Sequence, residues 1–263
     1  MNGTGDFQPG DGTHARFPSQ THWTTLIQPA ADPSSPKARE ALNQLCQTYW
    51  FPIYAFIRSE RIESHHAKDL TQGFFVHLLE KNLIGQAARN QGRFRSFLLA
   101  CLCNFMKDEW RRENTLKRGG SATILSIDEA DAEDKYKQLP LLQPGPEIVF
   151  DRTWAATVIE QATKKLKQNY ADRGRLDVFE AMKRCLTGEL HPDSYAEHAA
   201  KLGISAGTFQ TNLSRFKDGF GRAIRSVIAE TVAPWEINEE IQYLLSAWSA
   251  YLNEKPGTTS RLA

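Results

Sequence analysis

A chain of 263 residues, 41% hydrophobic and 24% charged, has the length and composition of one or two globular domains with cores of their own. Its formal net charge of +1 excludes a uniformly basic protein that coats any nucleic acid by counterion release. With no apolar signal core near its start and no run of about 18 apolar residues, neither secretion nor membrane insertion is expected, and a cytoplasmic location is.

Residues 1–37 read as a flexible amino-terminal segment, because the first 20 or so are rich in Gly, Pro, Asp, Thr and Ser and lack apolar periodicity. Trp23, Leu26 and Ile27 within FPSQTHWTTLI suffice to dock one short turn, and PAADPSSPK breaks any regular structure before a helix that starts near Pro36. Leu42, Leu45 and Tyr49, then Ile53, Phe56 and Ile57, predict two helical pieces kinked near Pro52. The next helix is predicted from Asp69, capped by Ser64. Its apolar stripe is Leu70, Phe74 and Leu78 with Phe75 and Leu79, leaving Asp69, Gln72 and Lys81 off the stripe. A short helix near Asn82 ends at Gly92. A long helix then starts near Arg93, with Phe94, Phe97, Leu98, Cys101, Leu102 and Phe105 on one face and Arg93, Arg95, Asn104, Lys107, Arg111 and Arg112 largely on the other. Residues 38–118 are thus predicted to form a compact helical bundle with a basic, partly aromatic face.

From Gly119 to about Phe150 periodicity fades among Gly119, Gly120, Pro140, Pro144, Gly145 and Pro146, which predicts a flexible linker over 119–151. The charge divides at the same places. Residues 38–118 carry 13 basic and 8 acidic groups, residues 119–151 carry 2 and 7, and residues 152–226 carry 13 and 8. Two segments at +5 around one at −5 suit two polyanion-binding modules joined by a segment that polyanions repel. The acids Asp128, Glu129, Asp131, Glu133 and Asp134 have a second reading, that they merely keep the linker solvated.

A second helical domain is predicted over 152–227, with Trp154, Val158, Ile159 and Leu166 on one helix and Leu176, Val178, Phe179, Met182 and Leu186 on the next. SYAEHAAKLGISAGTFQTNLSRFKDGF then has the pattern of a helix-turn-helix. Tyr195, Ala199 and Leu202 form an inner face, Gly203 makes the turn, Ile204 plugs the core and Ser205 caps the second helix. Phe209, Leu213, Phe216, Phe220, Ile224 and Val227 point inward on that helix. Thr208, Gln210, Thr211, Ser214, Arg215 and Lys217 face outward, as residues that reach base edges and phosphates do. Residues 228–263 are a carboxy-terminal helical extension with Ile237, Ile241, Leu244, Leu245, Trp248 and Leu252 on one face.

DLTQ-x-FF-x-x-LL, then G-x-FRSFLL, then a K-D-x-x-RR run resembles region 2 of bacterial RNA polymerase sigma factors of the extracytoplasmic-function group, and the helix-turn-helix lies where their region 4 would be. THWTTLI and the tail from AETVA to EEIQYLL resemble a sigma subgroup with extended termini. The resemblance implies an all-α, two-domain subunit that binds core RNA polymerase and promoter DNA, is not an enzyme by itself, needs no cofactor or metal, and answers to an anti-sigma factor or another regulator. It assigns Asp69, Gln72 and Gly73 to core polymerase. Arg93, Arg95, Asn104, Lys107, Trp110, Arg111 and Arg112 fall to the downstream promoter element, and Thr208, Gln210, Thr211, Ser214, Arg215 and Lys217 to the upstream one. It also implies that the acidic linker threads the polymerase's RNA path, where an acidic strand imitates RNA.

The chain departs from that family at Gly73, where most members have an acid, at Gln210 and Asn212, where a basic residue is usual, and at His198, where an apolar one is. These departures motivate an alternative, a helix-turn-helix regulator or polymerase-binding adaptor that has lost promoter-specific initiation. For Trp110 two roles stand open, a core side chain or a ring that stacks on an unpaired base. His65 and His66 with Asp69, and His191 and Asp193 with His198, lack further ligands at metal spacing. No Walker loop or G-x-G-x-x-G is present.

Overall fold

In the computed structural model the described residues are 36–81, 83, 94–113, 129–139, 145–186, 195–232 and 234–254, and they are all-α. In chain order the helices are α1 (Pro36–Ser59), α2 (Ser64–Glu80), α3 (Phe94–Glu113), α4 (Glu129–Lys137), α5 (Pro146–Ala171), α6 (Leu176–Leu186), α7 (Tyr195–Lys201), α8 (Ala206–Ile228) and α9 (Ile237–Glu254). Residues 1–35 of the expected amino-terminal segment, nearly all of the short helix near Asn82 and residue Arg93 lie outside the described residues.

α1 is the central pillar. Its second half is apolar on every side, and Tyr49, Trp50, Ile53, Tyr54, Phe56 and Ile57 are all buried, as befits a helix surrounded by others. Pro36 opens it as predicted, but Pro52 lies inside one helix rather than between two pieces. α1 packs most extensively along α5. The Tyr49 ring stacks on Phe150 at 6.5 Å and meets the edge of Phe94 from α3 at 5.4 Å.

α2 starts one residue after Glu63 with no side-chain cap. Ser64, expected to be that cap, is instead its first helical residue and shares a 3.0 Å hydroxyl hydrogen bond with Tyr54. α2 and α3 meet through Phe74 and Phe105, whose rings are 5.5 Å apart.

Two features of the expected linker and boundaries differ from the sequence reading. First, residues 129–137 form α4, held on α1 by Arg58. That guanidinium gives hydrogen bonds of 2.9 and 3.0 Å to the Glu133 carboxylate and lies 4.9 Å from the centre of the Tyr136 ring. Tyr54 also donates to Glu133, and Ala132 is buried. One acid of the cluster is therefore anchored rather than solvated, with its carboxyl held down to about 2 by Arg58 and, against the effect of burial, by Tyr54.

Second, the apolar core does not part near residue 151. Phe150, Trp154, Val158 and Ala162 of α5 join a single core with α1, α2 and α3, to which the end of α8 and Leu244 of α9 also belong. A smaller core lies under the helix-turn-helix, where Leu166, Val178, Phe179, Met182, Ala199, Phe209, Leu213 and Phe216 close together. α5 and α8 run through both cores.

Candidate nucleic-acid interface

The first candidate surface is built by α7, its turn and α8. Leu202 and Ile204 bond back to the α7 carbonyls, and Gly203 takes φ +66°, a left-handed conformation that costs glycine little and other residues more. Ser205 then starts α8 as its cap, accepting a hydrogen bond from the Thr208 amide at 3.1 Å. Tyr195 of α7 packs on Phe209 at 5.2 Å between ring centres, and Ala199 is buried where the two helices cross. The result is a short first helix clamped against an amphipathic second one. Thr208, Gln210, Thr211, Ser214, Arg215 and Lys217 are all exposed along α8, as the periodicity predicts. Asn212 is buried, so the departure from the family pattern there lies off the outward face.

The second candidate surface is the outer face of α3. Phe94, Leu98, Leu102, Phe105 and Met106 fix this helix to the core, and Asn104, Lys107, Trp110, Arg111 and Arg112 project away from it. Trp110 is 42% exposed, which removes the core role left open for it and leaves its ring accessible on the face that carries Lys107, Arg111 and Arg112. Arg112 pairs with Glu109 at 2.7 Å and Arg111 with Asp108 at 3.5 Å, both within the helix and exposed, so water screens each pair and a phosphate can displace it at little cost. His77 of α2 lies 5.4 Å from Phe105, and burial with the nearby Lys81 and Arg112 lowers its pKa.

Arg95 does not belong to that face. It is only 4% exposed, with Nη1 2.5 Å from Asp151 and Nε 3.1 Å from Glu240, and its guanidinium lies 3.9 Å from the Tyr243 ring centre and 5.0 Å from that of Trp154. Burial opposes its charge, but the two carboxylates outweigh burial and raise its pKa above the ordinary arginine value. The assignment of Arg95 to nucleic acid is corrected accordingly: it joins α3 to α5 and α9. Neither Asp151 nor Glu240 stands out in the sequence, because both lie far along the chain from Arg95.

The three positions assigned to polymerase also separate. Asp69 is exposed and faces His65, whose Nδ1 lies 3.3 Å from it. Gln72 is 8% exposed, buried with Thr71 although it lies off the apolar stripe. Gly73 is half-buried, and a side chain there would point at Phe105, with Cβ 3.6 Å from Cζ. Only Asp69 of the three offers its side chain to a partner.

Among the described residues no three His, Cys, Asp or Glu side chains gather as a metal site, and no helix is long and apolar enough to cross a membrane. His191 and Asp193 lie outside the described residues. Comparison of the chain with protein families, curated proteins and solved structures finds no match.

Proposed function

We propose that this chain is a sigma factor of the extracytoplasmic-function type, a cytoplasmic subunit that binds core RNA polymerase, recognises two promoter elements and favours strand opening, without catalysis of its own. The observation that carries the reading is the α7–Gly203–α8 arrangement, whose second helix is capped by Ser205 and offers six exposed polar or cationic side chains. The exposed face of α3 supports it, since it combines cations for phosphates with Trp110 for an unpaired base. Opening follows from differential binding: bases captured on the protein are lost to the duplex, so the separated state gains stability. Asp69 and its exposed neighbours on α2 would face core polymerase, and an anti-sigma factor or other regulator would compete for such a surface.

Run-off transcription with core polymerase and promoter DNA tests this reading directly. A discrete transcript that requires the chain supports it; core polymerase that gives the same products with and without the chain overturns it. The second reading, a helix-turn-helix regulator or polymerase-binding adaptor, is favoured by the burial of Arg95 and Gln72, two residues that the sigma reading places outside. Tight, sequence-specific duplex binding by the chain alone at physiological salt, with no transcript, selects that second reading. The charge pattern predicts weak duplex binding by the chain alone.

A further inference from the structure

α5 and α8 pack antiparallel, with Leu166 nearly touching Gly219. A Cβ at Gly219 would lie 3.2 Å from the leucine, so glycine permits the close approach there. On one side of this crossing the helices splay around a cleft of about 490 Å³, a size usual for small-ligand sites. Four arginines line it: Arg173 and Arg175 from the turn that ends α5, and Arg215 and Arg222 from α8. None of the described residues that line it is acidic, and none of the four arginines has a carboxylate partner among the described residues. Lys165 also reaches the cleft but is already held by Glu230 at 2.5 Å. Asn169, Asn212 and Ser226 add amide and hydroxyl groups to the wall.

Arg173 sits at the negative end of the α5 dipole, which favours cations, whereas Arg175 directly precedes α6, whose positive end does not. Arg215 and Arg222 lie in the interior of α8 and have no such compensation. Four like charges facing one concavity repel each other, and an anion that fills it relieves that repulsion while accepting forked guanidinium hydrogen bonds.

We propose that this cleft binds a di- or triphosphate chain. One phosphate group brings about two negative charges, so two or three linked phosphates are needed to balance four guanidiniums. The concave shape between two packed helices admits the end of a phosphate chain better than the flank of a duplex. Arg215 belongs both to the cleft and to the outward face of α8, so a bound polyphosphate takes one cation from the helix-turn-helix surface. Occupancy therefore weakens duplex binding by that surface. The site stands apart from the proposed function, because its binding step needs neither polymerase nor promoter.

The test is calorimetric titration of the full chain with sodium tripolyphosphate and, separately, with orthophosphate. One tripolyphosphate binds per chain, at least about tenfold more tightly than orthophosphate, and Arg173→Gln with Arg222→Gln weakens it by about tenfold or more per arginine. Arg111→Gln with Arg112→Gln, on the other candidate surface, leaves it unchanged. Arginine-selective modification of the unaltered chain, read by mass spectrometry, gives a measurement that no folding defect can mimic: tripolyphosphate protects Arg173, Arg175, Arg215 and Arg222 but not Arg111 or Arg112. Absence of saturable binding, equal loss in both double variants, or protection of all arginines alike overturns the proposal. A result in which Arg173→Gln with Arg222→Gln lowers only the salt dependence of duplex binding, with no tripolyphosphate bound, assigns the cleft to the DNA backbone instead.

Discussion

Replacing Arg95 with Met removes a guanidinium that holds two carboxylates while keeping much of the side-chain volume. Glu240 is 1% exposed and Asp151 has only a fifth of its side chain in contact with water, so the carboxylates left behind are poorly solvated. Breaking a buried pair of this kind costs about 3–5 kcal/mol, and the contacts to the Tyr243 and Trp154 rings add about 1 kcal/mol. For a chain of this size the melting temperature should fall on the order of 10 °C. Glu240→Leu added to Arg95→Met should recover part of that loss, because an apolar replacement of both partners leaves fewer buried charges behind. Differential scanning calorimetry of the single and double variants measures both effects. Binding to duplex DNA, compared across salt concentrations below the melting transition, should keep its slope. A variant that melts with the unaltered chain yet loses about one unit of salt slope would refute this reasoning and return Arg95 to the phosphates.

Glu133→Gln should destabilise the chain by about 1–2 kcal/mol at neutral pH, the pair with Arg58 being partly screened by solvent. Because the Glu133 pKa is held down to about 2 from an ordinary 4.5, its contribution is full above 4.5 and fades as pH falls towards 2; melting curves of the two proteins should converge over that window, and a constant gap would mean that its charge is not what matters. Trp110→Ala, at a side chain 42% exposed, should cost only about 1 kcal/mol of stability rather than the 3–5 kcal/mol of a buried Trp. It should reduce permanganate reactivity of promoter thymines, with rescue by a pre-melted bubble, whereas unchanged reactivity on linear DNA would end the stacking role. Gly203→Ala has free space around it but must hold φ +66°, so it should lose about 1–2 kcal/mol in thermal melts through backbone strain alone; a neutral substitution would mean that the turn relaxes.

What the sequence revealed depended on how far apart the cooperating residues lie. The α7–α8 turn is written in adjacent residues, since a glycine that must turn and a serine that must cap are recognisable without knowledge of anything else in the fold. The exposed face of α8 and most of that of α3 followed from helical period for the same reason. Arg95 was misplaced because its partners Asp151 and Glu240 lie 56 and 145 residues away. Helical period puts it on the flank of the apolar stripe, and only packing by α5 and α9 turns that flank into an interior. α4 escaped notice because its apolar contacts are short, Ala132 and Tyr136 one turn apart, and its anchor is the distant Arg58.

The passage of α5 through both cores means that neither half of this chain is a self-sufficient folding unit. A fragment ending near residue 118 would lack Phe150, Trp154 and Val158, and would bare the flank of α1 where Tyr49 and Ile53 are sealed. Each large apolar side chain so stripped of its cover forfeits about 1.5–3 kcal/mol, and a handful of them equals the whole stability margin of an ordinary domain. A fragment beginning near residue 152 would present the complementary stripe of α5 to water. The pieces should be sticky and poorly soluble apart and should recover when mixed, so cooperative melting belongs to the undivided chain.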